Sequence, residues 1–197
     1  MPLPGAVLFP HALLPLYIFE PRYRAMLEHA LAEQRMFCVA LINPNRGEWN
    51  SVEDFRHTTG IGLIRACVGR VDGTSNLILQ GLQRVRFAGF LQTKPFPIAE
   101  IESLESEPVD SSLRSEALGD KVLDLYEKLK GSGRQFPQKV DHYLADLRDP
   151  EMLADLMAAT FITDSARRQQ LLEELSVTAR LRLVIQYLSE ETGDAAA

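Results

Sequence analysis

The chain has 197 residues, 46% hydrophobic and 24% charged, with a formal net charge of -6. That length holds one large domain or two small ones with ample core, and the composition excludes extended disorder. The acidic balance, with a sequence pI near 5.3, argues against a polyanion-binding surface as the main business.

The opening, Met1-Pro2-Leu3-Pro4-Gly5, has no basic stretch followed by a long apolar run, so no signal peptide is read there. Apolar runs such as Phe37 to Ile42 are too short to span a bilayer. The two cysteines, Cys38 and Cys67, sit inside apolar runs and read as reduced core residues. A cytoplasmic protein is expected.

The pattern up to residue 107 is of short β-rich runs broken by Gly, Pro and Asn. Pro10-His11-Ala12-Leu13-Leu14-Pro15-Leu16 is apolar but loop-like. Tyr23, Met26, Leu27, Ala30 and Leu31 recur at three and four, with Pro21 suited to a first helical turn, and predict one helix. Phe37 to Ile42 predicts a buried strand running into the loop Asn43-Pro44-Asn45. Trp49 lies in the polar stretch between Asn43 and Gly60; folding back onto the strands and an exposed contact role both stay open. Gly60 to Val71 and Leu77 to Leu82 flank Asp72-Gly73, a hairpin step that supplies positive φ. Val85 to Phe87 and Ile98 to Ile101 alternate as half-buried strands do. Many short strands with glycine breaks predict a small barrel or a strongly bent sheet.

From residue 108 the pattern turns helical, so the expected division is 1–107 and 108–197, with a break at Pro108 to Leu113. Leu118, Val122, Leu125, Tyr126 and Leu129 form one stripe, closed by Gly131-Ser132-Gly133. Val140, Tyr143, Leu144 and Leu147 form another. Asp149-Pro150 reads as an N-cap with proline at the first helical position. Thr163 or Asp164 opens a short helix, and Ser176 caps the last, whose stripe is Val177, Leu181, Val184, Ile185 and Leu188. Short connections predict antiparallel neighbours in a helical bundle.

Chemistry is hard to find. No phosphate-cradling Gly-x-x-x-x-Gly-Lys run exists, and Gly131-Ser132-Gly133 is too short for a nucleophile elbow. The histidines His11, His29, His57 and His142 do not pair at metal-ligand spacing. No acid, base and nucleophile assemble, so no catalytic residue, metal or cofactor is expected.

The run from Pro2 through Phe9-Pro10, followed by Leu13 through Phe19-Glu20-Pro21-Arg22-Tyr23-Arg24, closely resembles the opening of the Lon N-terminal (substrate-binding) domain family. Gly60-Ile61-Gly62, the Asp72-Gly73 hairpin leading to Gln80 through Phe87, Leu153 through Leu156 and Arg168 through Glu173 extend the resemblance to about residue 190. It implies an α+β fold, a PUA-like β-rich pseudo-barrel with one helix followed by a C-terminal α-helical bundle. It also implies a free-standing, non-catalytic module that recognises unfolded or tagged protein segments, with a protease or chaperone as a further partner. The candidate peptide-binding residues are Pro10, His11, Leu13, Pro15, Arg22, Tyr23 and Trp49. For Arg22 and Tyr23 an architectural role is favoured, since Tyr23 begins the helix stripe. The alternative is RNA binding, which PUA-like barrels support; its one hint is Arg84 and Arg86 beside Phe87, and the acidic balance weighs against it.

Overall fold

The computed structural model describes residues 1–107, 112–131, 144, 147 and 149–192. The fold is mixed α+β, and the chain divides into two compact units, Met1–Leu104 and Glu105–Ala197. Residues 105–107 belong to the second unit because Glu107 donates its amide to Leu175 (2.9 Å) and bridges Ser176.

In the first unit β1 (Pro2–Leu3), β2 (Leu13–Ile18), β3 (Met36–Leu41), β4 (Thr58–Gly69), β5 (Ser75–Gln92) and β6 (Ile98–Leu104) form one sheet, and α1 (Pro21–Ala32) joins β2 to β3. The order is β1-β3-β4-β5-β2, with β6 also on β5; only β1 against β3 is parallel. β5 organises the sheet. Its first part, Ser75 to Gln80, lies between β2 and β4, and from Arg84 onward it pairs with β6. Bulges at Arg65 in β4, and at Leu82, Ala88 and Leu91 in β5, bend the strands away from a flat sheet.

The helix expected from Pro21 and the Tyr23 stripe is present, with Tyr23, Met26, Leu27 and Ala30 buried. Leu31 is the exception and lies exposed. The Asp72-Gly73 hairpin is also present. Gly73 has φ +80°, and the Asp72 carboxylate accepts the Thr74 amide (2.9 Å) and hydroxyl (2.7 Å). One reading needs correction: Leu13 and Pro15 lie in strand β2, not in a loop. Six consecutive apolar residues erase the period-two signal, and the proline conceals the strand further. Pro15 is tolerated because β2 takes β5 as its partner on one edge, and proline belongs on edge strands.

The core of this unit joins Leu8, Ile18, Tyr23, Leu27, Val39, Ile64, Leu77 and Leu79. A second cluster gathers Ala40, Ile42, Trp49 and Phe55, with Phe87 and Phe90 against it.

The second unit contains α2 (Ser112–Gly131), α3 (Pro150–Phe161), α4 (Ser165–Glu173) and α5 (Val177–Thr192). Asp149 caps α3, accepting the amides of Glu151 (2.9 Å) and Met152 (3.2 Å), with Pro150 at the first position. Asp164 caps α4 through the Arg167 amide (2.8 Å). Ser176 accepts the Ala179 amide (3.4 Å) at the start of α5. Val122, Leu125, Tyr126 and Leu129 of α2 are buried, and α2 packs against α5. Of the stripe expected over 140–147, only buried Leu144 and half-buried Leu147 are among the described residues. Pro108–Ser111 of the expected break, and Ser132-Gly133, lie outside the described residues. No helix among the described residues is long and apolar enough to cross a membrane.

Candidate functional site

A strand at half-burial shows every second side chain to water, and β2 follows that rule with apolar residues on both sides. Leu14, Leu16 and Ile18 turn toward the core, while Leu13 (64% exposed), Pro15 and Tyr17 face outward. The register continues the outward row across the sheet. Leu13 pairs with Gln80 and through it Leu63; Pro15 with Ile78 and Ala66; Tyr17 with Asn76 and Val68. Val68 is also 64% exposed, and Phe19, just beyond β2, is exposed and stacks on Tyr17 at 5.6 Å between ring centroids. The result is a shallow, open apolar depression of about 370 Å³ on the outer face of β2, β5 and β4. Exposed apolar residues scattered singly are ordinary; here they are contiguous on one sheet face.

A second cavity, about 210 Å³, lies between α1, β3 and the segment Phe96 to Ala99, and is lined by Met26, Ala30, Phe37, Cys38, Phe87 and Phe90 among others. The Met1 amine donates to the Cys38 carbonyl (2.7 Å), and burial pulls that amine down to about 6. Burial likewise pushes the Cys38 thiol up to about 11, with the nearby amine opposing weakly. At pH 8 only about one thiol in a thousand is then ionised, so Cys38 should resist alkylation in the folded chain. Iodoacetamide labelling read by mass spectrometry should modify Cys38 rapidly in urea and hardly at all without it. Native labelling at the urea rate would contradict this burial.

A family model for the ATP-dependent protease La (LON) substrate-binding domain matches residues 1–190. The chain belongs to the Lon substrate-binding domain family. The Lon protease 2 of Herpetosiphon aurantiacus is 34% identical over 193 residues, covering 97% of this chain and 23% of that protein. The Lon protease of Dictyoglomus thermophilum is 28% identical over 191 residues, covering 97% and 24%. The chain thus spans about a quarter of the length of these relatives. The solved N-terminal domain of the Mycobacterium avium complex Lon protease superposes with a TM-score of 0.73 at 22% identity, over 96% of each chain. The Lon N-terminal domain protein of Xanthomonas campestris gives 0.60 at 20% identity, over 93% of this chain and 95% of that one. At such identities the likeness speaks for the fold.

On this Lon-family fold the seven residues singled out by sequence divide into separate places. Leu13 and Pro15 lie on the outer sheet face described above. His11 is exposed at the turn before β2, with φ 64° and its amide on the Gly81 carbonyl (2.9 Å). Pro10 is buried.

Arg22, Tyr23 and Trp49 come together, but as architecture. Trp49 is only 6% exposed, and its indole donates to the Tyr23 hydroxyl at 2.8 Å. That hydroxyl donates onward to the Pro2 carbonyl. The Arg22 guanidinium lies 4.9 Å from the Tyr23 ring centre and 4.8 Å from that of Trp49, while Glu20 holds it from the side at 2.7 Å. Burial raises the Tyr23 pKa above its ordinary value, which keeps the hydroxyl a neutral relay between indole and carbonyl. The open question about Trp49 therefore resolves toward folding back, and Trp49 and Tyr23 present little surface to a ligand. The sequence reading missed Tyr17, Phe19, Ala66, Val68 and Ile78. Only knowledge of the β2–β5–β4 register could have joined residues so far apart in the chain.

Among the described residues no group of three His, Cys, Asp or Glu side chains is placed to hold a metal.

Proposed function

We propose that this chain captures unfolded or tagged protein segments on the outer face of β2, β5 and β4. The exposed apolar row Leu13, Pro15, Tyr17 and Phe19 beside Val68 carries the reading. Burying each such side chain contributes about 1.5–3 kcal/mol, so a few of them overcome association costs only modestly. Weak, sequence-tolerant capture follows. Addition of a further strand to β2 is disfavoured, because Pro15 offers no amide to a partner. Capture needs no chemistry from this chain, and a protease or chaperone would receive the bound segment. We read the first unit as a PUA-like pseudo-barrel, which its bulged and bent strands support, and the helical unit as a bundle. The two free cysteines accord with a cytoplasmic setting.

Of the sequence hint for RNA, only Arg86 stays exposed. Arg84 is buried and Phe87 packs into the Trp49 cluster, so neither offers a basic, stacking surface. Titration of a reduced, unfolded model protein and of single-stranded RNA at two ionic strengths separates the readings. The expected result is protein binding that survives added salt and weakens about tenfold or more in Leu13→Glu or Val68→Glu, the scale of one lost apolar contact. Tight, salt-sensitive RNA binding without affinity for the unfolded protein would overturn it.

A further inference from the structure

Resting on that reading, we infer that the captured segments are apolar stretches flanked by acidic residues, because the apolar face is rimmed by arginines. The Arg70 guanidinium lies 5.6 Å from the ring centre of Tyr17, at the hairpin end of the face. Arg24 lies against Gly73 of the same hairpin. Arg65 occupies the β4 bulge beside Ala66, and all three arginines are exposed. The acid beside them is Asp72, whose carboxylate is already engaged by the Thr74 amide and hydroxyl and feels both Arg70 and Arg24. Glu20, next to Phe19, is held by Arg22 at 2.7 Å. The residues lining the depression, Pro15, Tyr17, Ala66, Val68, Asn76 and Ile78 among them, include no carboxylate.

The charge distribution along the chain points the same way. Residues 1–104 hold 10 of the 21 Lys and Arg and 9 of the 27 Asp and Glu, a balance of about +1 that leaves about -7 for 105–197. The acidity of the whole chain therefore does not describe the unit that carries the face. Rim charges act mainly by steering encounter and excluding wrong partners, so a carboxylate at either end of an apolar segment is favoured and an ammonium is repelled.

The test uses two short, fluorescein-labelled peptides with the same aromatic and aliphatic core, one flanked by Asp and Glu and the other by Lys and Arg. Anisotropy titration of the full chain at low and high salt is expected to favour the acidic-flanked peptide by roughly three- to tenfold at low salt. The margin should shrink on adding salt. In the double variant Arg65→Glu, Arg70→Glu the preference is expected to invert, while both peptides keep their salt-resistant component. Equal binding of the two peptides, or preference for the basic one, overturns the charge rule and leaves apolar capture standing. Binding of neither peptide overturns both. Salt-sensitive binding of single-stranded RNA with no peptide bound would assign the arginine rim to phosphates instead.

Discussion

Replacing Arg180 with methionine is expected to destabilise the helical unit by about 3–5 kcal/mol, the cost of opening a buried ion pair from one side. Arg180 and Asp155 are both 0% exposed. The guanidinium donates to the Asp155 carboxylate (3.0 Å), to the Ser106 hydroxyl (2.9 Å) and twice to the Glu174 carbonyl (3.0 and 2.9 Å). Glu151 lies 3.5 Å away and accepts the Ser106 hydroxyl. One side chain on α5 thus ties together α3, the turn before α5 and the strand-like entry at 105–107. Asp155→Ala should cost a similar amount, because it strips the buried cation of its carboxylate. The double change Arg180→Met with Asp155→Leu should recover much of the loss, since apolar side chains of similar volume need no desolvated charge. Urea unfolding followed by circular dichroism checks the set. Single variants within about 1 kcal/mol of the parent would mean that the cluster contributes no more than a surface pair.

Capping chemistry was legible from the residues themselves. Asp149-Pro150, Asp164 and Ser176 each mark a helix start because the side chain that satisfies the first amides is adjacent in sequence. The Asp72-Gly73 hairpin was legible for the same local reason. What escaped reading depends on contacts between distant positions. β2 lacks alternation because its inward and outward residues are equally apolar, and only pairing with β5 fixes which side meets water. Trp49 sits among polar neighbours, yet its partners are Tyr23 and Phe55. Arg84 belongs to a run whose alternation suggests a half-buried strand, and nothing local to it or to Arg180 signals that both side chains are buried. The candidate face divides accordingly: Leu13 and Pro15 stand out as apolar residues in a loop-like stretch, whereas Ala66 and Val68 flank Cys67 in an apolar run with no local sign that they face outward.

Gly81→Ala and Gly60→Ala should each destabilise the first unit by about 3 kcal/mol or more, at the upper end of overpacking costs. The segment Val7-Leu8-Phe9 is buried against the sheet. A methyl group on Gly81 would collide with the Phe9 carbonyl, and one on Gly60 with the Leu8 carbonyl. Both obstacles are backbone, so no rotamer change relieves them. At Gly62, which pairs with Gly81 across the β4–β5 ladder, the nearest atoms are Leu79 Cγ (2.6 Å) and Leu8 Cδ2 (2.9 Å), with the Gln80 carbonyl oxygen at 3.0 Å. The two closest are side-chain atoms and the backbone oxygen is a full ångström farther than at Gly60 or Gly81, so Gly62→Ala should cost less, about 1–2 kcal/mol. Gly47, with nothing within 4 Å, should accept alanine within about 0.5 kcal/mol. Thermal melts of the four variants test the ordering, and a Gly81→Ala as stable as Gly47→Ala would refute the close crossing. The crossing also bears on the proposed capture. Gly81 and Ala12 exchange backbone contact through the Gly81 amide (2.9 Å), and the His11 amide returns to the Gly81 carbonyl (2.9 Å), immediately before β2 begins. The glycines that admit Leu8 and Phe9 beneath the sheet therefore fix where β2 enters its ladder. A one-residue slip there would turn Leu13, Pro15 and Tyr17 inward and bring Leu14 and Leu16 out, so partially folded Gly81→Ala protein should lose segment capture along with its melting temperature.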